Sequence, residues 1–265
     1  MNILNTFENN LILLIDGSSM AFLHGNKENY KESLKSHIEF LLNKYNTSKY
    51  VIILENSKSN FRNQVAISNE YKGQRRTEKS INNIKQYLPY LSQVFTEIKS
   101  TYNPVLYNNI ENDDAIRILA NRLKNVVICT NDKDMYCVYG NHHNLKTNKI
   151  QYIEKPGIIE LVDNKVNVTG LYNIYFKILK GSAKENYKGL PGYGDKKVYN
   201  LLKDLTTEEE MQDVCIEHFK LIYKENYKSK LKEGFRICWI LEDNDNLETP
   251  VINDYNVIKL NFNEN

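Results

Sequence analysis

Leu11-Ile12-Leu13-Leu14-Ile15-Asp16 and Val126-Val127-Ile128-Cys129-Thr130-Asn131-Asp132 decide the fold, because each is a short apolar run that stops on a carboxylate. Two more runs share this design: Val51-Ile52-Ile53-Leu54 before Glu55, and Pro104-Val105-Leu106-Tyr107-Asn108-Asn109-Ile110 before Glu111-Asn112-Asp113-Asp114. Asp134 follows two residues after Asp132. Short continuous apolar runs separated by helical periodicity predict strands buried on both faces, hence a mostly parallel α/β sheet. Such open sheets bind ligands outside the carboxyl ends of their strands, which is where the acids fall.

Seven carboxylates in one crevice (Asp16, Glu55, Glu111, Asp113, Asp114, Asp132 and Asp134) would raise one another's pKa unless cations joined them. An all-oxygen set without His or Cys suits Mg²⁺ or Mn²⁺ and not zinc. The competing reading is that these are turn residues and helix N-caps. It suits Asp16 alone as well as metal binding does, but leaves the E-x-D-D and D-x-D spacings unexplained.

A chain of 265 residues, 41% hydrophobic, accommodates one sizeable α/β domain and a smaller helical part. The N-terminus has no basic leader or apolar core and no long apolar stretch follows, so a soluble, cytoplasmic, monomeric protein is expected, in a bacterial host if the source is viral. Cys129, Cys137, Cys215 and Cys238 lack C-x-x-C spacing and read as reduced packing residues. His142 and His143 lack spaced ligand partners and read as solvated loop residues. The net charge of +2 conceals an asymmetry: with Glu185 added, eight of 33 acidic residues are assigned to the pocket, leaving 25 against 35 basic ones. A basic surface around an acidic centre suits a phosphate backbone.

Periodicity places strands at 11–15, 50–54, near 105 and at 126–129, and helices at 31–45, 78–98 (disturbed by Pro89) and 113–124. The polar stretch 56–78, with Lys58, Arg62, Lys72, Arg75 and Arg76, is too long for an ordinary connection and reads as a functional loop or arch reaching to about residue 90. Short strands are expected within 144–168, helices to about 241, and an extended tail from Pro250. The expected division is 1–168 and 169–265.

A second motif, Gly189-Leu190-Pro191-Gly192-Tyr193-Gly194-Asp195-Lys196-Lys197, pairs a glycine-rich turn with the start of a helix. Free backbone amides at a helix N-terminus cradle phosphate, and Lys196 and Lys197 add charge. A plain helix–helix connection accounts for the turn equally well. Its place after an acidic α/β region favours a grip on a duplex backbone.

Together, Ile15-Asp16-Gly17, Tyr71-Lys72-Gly73-Gln74-Arg75, Glu111-Asn112-Asp113-Asp114, Thr130-Asn131-Asp132-Lys133-Asp134 and the glycines at 189 to 194 resemble the 5′-nuclease family of flap endonucleases and 5′-3′ exonucleases, above all its small bacteriophage members. The likeness runs from about Leu11 to Pro250. It implies a PIN-like α/β core, a helical arch, and a C-terminal helical region with a helix-three-turn-helix module that holds duplex DNA and sometimes K⁺. It also implies two-metal hydrolysis of phosphodiester bonds in DNA flaps, nicked or gapped duplexes and RNA primers, including RNA–DNA hybrids, in the company of replication proteins. Asp16, Glu55, Glu111 and Asp113 would serve one ion, Asp114, Asp132 and Asp134 would serve the other or bridge to it, and Glu185 would reach inward to it by its extra methylene. Lys72 and Arg75 would contact the scissile phosphate and Tyr71 would stack on a base. Arg76, Gly189, Gly192, Gly194, Lys196 and Lys197 would bind DNA. Where the family has G-D-x-x-D-N, this chain has Gly181-Ser182-Ala183-Lys184-Glu185-Asn186. Ser182 brings no charge, which implies a weaker second site. The alternatives are a non-catalytic relative that binds branched DNA and a PIN-type ribonuclease.

Overall fold

The computed structural model describes residues 11–123 and 125–241, with the backbone alone at 56–59. Its main sheet has six strands: β1 (Ile12–Asp16), β2 (Tyr50–Asn60), β3 (Val105–Asn109), β4 (Val126–Thr130), β5 (Gly140–Asn144) and β6 (Ile150–Ile153). Their order is β3-β2-β1-β4-β5-β6, and every pairing is parallel except β5 with β6. The chain therefore winds outward from β1 to β3 and returns across β1 to β4. Two helices follow in the first crossover, α1 (Gly17–His24) and α2 (Tyr30–Lys44). α1 begins directly after Asp16, because Gly17 leaves room that a Cβ would lose to Ile53 O at 2.7 Å.

Alternation along β1 divides the core. Leu13 and Ile15 join Leu34, Ile38 and Leu41 of α2 and Val94 and Ile98 of α5 (Leu91–Thr101) on one face. Leu14 joins Ile116 and Ile118 of α6 (Asn112–Leu123) on the other. That second cluster continues into a helical region made of α7 (Gly170–Lys180), α8 (Asp195–Leu202), α9 (Glu208–Tyr223) and α10 (Tyr227–Cys238). A hairpin, β7 (Ile159–Val162) and β8 (Lys165–Val168), precedes α7.

Several expectations need correction. β2 does not end at Leu54 but runs to Asn60, its pairing with β3 resuming at Asn60–Asn109 after an irregularity. The stretch expected to be an arch then forms a short helix α3 (Arg62–Val65), a 3-10 turn at Gly73–Arg76 and α4 (Glu78–Tyr87). The helix expected over 78–98 breaks into α4 and α5, since Leu88, ahead of Pro89, is driven out of the helical region to φ −132°, ψ 62°. His142 and His143 are not solvated loop residues; they lie buried in β5, on Val138 O and on Tyr45 Oη and Asn148 Oδ1 respectively. All four cysteines are buried and unpaired. The tail expected from Pro250 lies outside the described residues. Among the described residues no helix is long and apolar enough to cross a membrane.

Candidate active site

The strand ends deliver their acids to one region, but not as equals. Asp16 closes β1 and caps α1: Oδ1 accepts Ser18 N, Ser19 N and Asn112 Nδ2 at 3.0, 3.1 and 3.2 Å, and Oδ2 accepts Ser19 Oγ and Thr130 Oγ1 at 2.6 and 2.8 Å. A carboxylate offers about four lone-pair positions, so Asp16 is fully engaged in joining β1, β4 and α6. Asp114 is likewise saturated. Arg62 Nη1 and Nη2 donate to its two oxygens at 2.6 and 2.7 Å, while Glu111 N and Leu241 N lie at 3.1 and 3.0 Å. In this arrangement the oxygens of both residues, expected as metal ligands, already accept hydrogen bonds from the protein.

Glu111, just before α6, accepts Tyr71 Oη at 2.7 Å, Arg62 Nη1 at 3.5 Å and Lys72 Nζ. Burial would raise it, but Arg62, Lys72 and these hydrogen bonds hold it down at about 2. Asp113 accepts Asp114 N at 3.0 Å, and Arg62 and Lys72 lower it too little to offset the opposing causes. Burial first, then the charges of Glu111 and Asp114, push it up to about 8. Glu55 is exposed by surface area yet crowded at its carboxyl, and loss of hydration followed by the charge of Glu111 raises it to about 7. Glu185 is buried and raised by that burial and by Asp134, with Lys177 opposing.

Asp132 and Asp134 follow β4 and have cation partners of their own. Lys184 Nζ lies 2.5 Å from Asp132 Oδ2 and 2.5 Å from Asp134 Oδ2, and Lys177 Nζ of α7 lies 2.7 Å from Asp134 Oδ1. Against its burial, these lysines hold Asp134 well below the usual carboxylate range. Arg62, Tyr71, Glu111, Asp113, Asp134, Lys177, Glu185, Ile237, Cys238 and Ile240 enclose a cavity of about 20 Å³.

The segment 70–74 and the loop 182–186 are laced together across the mouth. Lys72 N donates to Glu185 O at 3.2 Å, Gln74 Nε2 to Lys184 O at 2.8 Å, and Asn186 Nδ2 to Glu70 O at 2.9 Å. Lys72 is held in the left-handed region at φ 52°, a conformation that costs about 1–2 kcal/mol for a residue with a side chain. Glu233 of α10 clamps the approach to this segment, accepting Ile67 N at 2.7 Å and both Ser68 N and Ser68 Oγ at 2.5 Å.

Tyr71, expected to stack on a base, is only 4% exposed, with its ring in the core and its hydroxyl on Glu111. Arg75 and Arg76 are exposed, Arg76 paired with Glu70. The glycine turn follows the loop 182–186 and leads into α8. Gly189 has φ 61°, and a Cβ there would meet Gly181 N at 2.3 Å. Gly192 and Gly194 face open space, Lys196 is exposed, and Lys197 Nζ sits 3.5 Å from the centre of the Tyr193 ring. Sequence reasoning placed Arg62 only among the basic residues of the expected arch and gave no role to Lys177, Lys184 or Glu233. The only available signal was Lys184, a basic residue inside a motif otherwise read for its acids.

The donor chemistry gives a divided answer on metal. Glu55, Glu111, Asp113 and Glu185 offer hard oxygens, and Asp113 and Glu55 are too crowded to be stably ionised at neutral pH without added positive charge, so a hard divalent ion fits there. Asp132 and Asp134 do not fit, because lysine ammonium groups face them.

Residues 11–163 match the family described as 5′-3′ exonuclease, N-terminal resolvase-like domain. The chain is 30% identical to a 5′-3′ exonuclease of Buchnera aphidicola subsp. Schizaphis graminum over 72% of this chain and 69% of that protein. It is 24% identical to the flap endonuclease of Escherichia phage T5 over 73% of this chain and 69% of that one. It also spans about a quarter of the DNA polymerase I of Lactococcus lactis. A bacteriophage T5 flap endonuclease variant, solved with DNA and metal ions, superposes with a TM-score of 0.64 at 18% identity, covering 86% of this chain and 88% of that one, and shares the α/β fold with its mostly parallel sheet.

Proposed function

The chain belongs to the 5′-3′ exonuclease family, and on that premise we propose that it is a structure-specific 5′ nuclease hydrolysing phosphodiester bonds in DNA flaps, nicked or gapped duplexes and RNA primers. The observation that most supports this reading is the gathering of Glu111, Asp113 and Glu185 with Arg62, Tyr71 and Lys177 around one cavity at the carboxyl ends of a parallel sheet. Glu55, Glu111, Asp113 and Glu185 would hold Mg²⁺ or Mn²⁺, which supplies an acidified water and positive charge for the phosphate. Asp16 and Asp114 keep the surrounding backbone in place.

Lys72 brings a further cation to the site. Its ammonium group neutralises Glu111 in the free protein and lies within reach of a phosphate entering the mouth, where it would stabilise developing negative charge. Arg75, exposed on the same turn, would meet the phosphate from outside. Residues 169–265 would serve as the DNA-holding region, with the amides of Gly192 and Gly194 and the charges of Lys196 and Lys197 taking duplex phosphates, and K⁺ sharing that turn.

Incubation with a 5′-flap duplex and Mg²⁺ tests the proposal. Metal-dependent product that disappears in Asp113→Asn is the expected result. Tight flap binding without product would favour the branched-DNA-binding alternative, which the lysine-filled Asp132–Asp134 pair makes a serious one. Preferential cleavage of single-stranded RNA would favour a PIN-type ribonuclease.

A further inference from the structure

The two halves of the acidic site differ in how their charge is balanced. On the β4 side, two lysines meet two aspartates. Lys184 bridges Asp132 and Asp134, and Lys177 holds the remaining oxygen of Asp134. Two positive and two negative charges leave no excess for a divalent ion. On the α6 side the balance is different. Arg62 is committed to Asp114 and Lys72 to Glu111, while neither Asp113 nor Glu185 forms an ion pair among the described residues.

We propose that Lys184, supported by Lys177, replaces the second divalent ion, so that this chain binds one such ion, at Glu55, Glu111, Asp113 and Glu185. The inference rests on the nuclease reading above for its meaning but not for its measurement. Three features of the structure carry it beyond the loss of charge at Ser182. First, the loop that carries Lys184 is tied down: Ser182 and Tyr187 exchange backbone hydrogen bonds at 2.7 and 2.9 Å, and Gln74 Nε2 holds Lys184 O at 2.8 Å. The ammonium is thus delivered from an anchored backbone. Second, Ser182 Oγ donates to Glu185, so the position that brings no charge also engages the loop's one acid within the loop itself. Third, Lys177 and Asp134 line the same cavity as Glu111, Asp113 and Glu185, so an ammonium group already stands on the side of that space from which the β4 acids would reach an ion.

A tethered ammonium differs from a metal ion in a way that bears on the reaction. It offers charge and hydrogen-bond donors to a phosphate oxygen but cannot coordinate and acidify a water. The β4 side would therefore stabilise charge on the phosphate or leaving oxygen, and water activation would belong to the α6 side alone.

Counting bound Mn²⁺ on the DNA-free protein, by electron paramagnetic resonance titration alongside native mass spectrometry, tests this whether or not the protein cleaves DNA. One Mn²⁺ per chain is expected. Asp113→Asn should weaken that ion at least tenfold, and Asp132→Asn should leave it unchanged. The double variant Lys177→Ala/Lys184→Ala, checked for folding by circular dichroism, should acquire a second ion. Two ions of similar affinity on the unaltered protein would overturn the proposal, as would loss of an ion in Asp132→Asn or a double variant, folded, that still binds only one. Failure of the flap-cleavage assay with one ion bound would instead count against the nuclease reading alone.

Discussion

Arg62 and Asp114 form a two-pronged ion pair in which the side chains are 1% and 0% exposed, and the pair fastens the end of β2 to the start of α6. Arg62 also donates to Trp239 O at 2.7 Å, so the same contact ties in the segment after α10. A buried pair of this kind stabilises little relative to an apolar substitute, but losing one partner leaves the other charged and unsatisfied. Arg62→Met should therefore destabilise the protein by about 3–5 kcal/mol, read from urea unfolding, with the double variant Arg62→Met/Asp114→Leu recovering much of the loss.

The crowded carboxylates predict how metal-free stability depends on pH. Asp113 and Glu55 are raised on folding, so their contribution is present at low pH and lost as pH rises through about 8 and about 7. His24, His142 and His143, lowered by burial to about 4, act oppositely, but only below their unfolded value near 6.5. Between pH 6.5 and 8 the carboxylates are therefore the groups that count. In EDTA the melting temperature should fall across this interval, Mg²⁺ should flatten the slope, and Asp113→Asn should remove most of it. A flat metal-free profile would contradict the assigned crowding.

Removing Lys72 should affect turnover more than affinity. Lys72→Met is expected to lower the single-turnover cleavage rate of a 5′-flap duplex by about 10²–10³-fold, the range seen when one preorganised charge donor is lost, while flap binding changes little. Equal losses in both would assign Lys72 to substrate holding.

Glu233 restrains the base of the arch from below. Glu233→Ala leaves the amides of Ile67 and Ser68 without their charged acceptor and should cost about 1.5–3 kcal/mol. Hydrogen exchange should speed up first at residues 67–72 if the clamp is local.

Gly189→Ala tests the glycine turn. With φ 61° and a Cβ 2.3 Å from Gly181 N, alanine requires the α7–α8 connection to shift, at a cost above about 1 kcal/mol. Duplex affinity, measured by fluorescence anisotropy, should fall with it. The salt dependence should also flatten if phosphate contacts are lost.

The sheet was legible wherever burial made a strand uniformly apolar, as at Leu11–Ile15 and Val126–Cys129. It was not legible at β5, where Gly140-Asn141-His142-His143-Asn144 reads as a loop because its histidines are buried through hydrogen bonds that no local pattern announces. The strand-end acids could each be found from sequence, and Asp16 and Asp114 were as prominent as Asp113. Their partners decide their roles, and those partners are distant: Thr130 lies 114 residues from Asp16, and Leu241 lies 127 from Asp114. Lys184 illustrates the same limit, since a motif read for its carboxylates gives no sign of where an adjacent ammonium will point.

The contact of Leu241 N with Asp114 has a consequence for the order of synthesis. A ribosome releases this chain from its N-terminal end, so every strand-end acid emerges before residues 177–241 exist to receive them. Until that last segment docks, Arg62 lacks its carbonyl partners, the acids lack Lys177 and Lys184, and Lys72 has no loop to fix its backbone. A growing or truncated chain would carry the reactive groups without the frame that aligns them, and cutting capacity would arise only once the segment to Leu241 has been made and has docked.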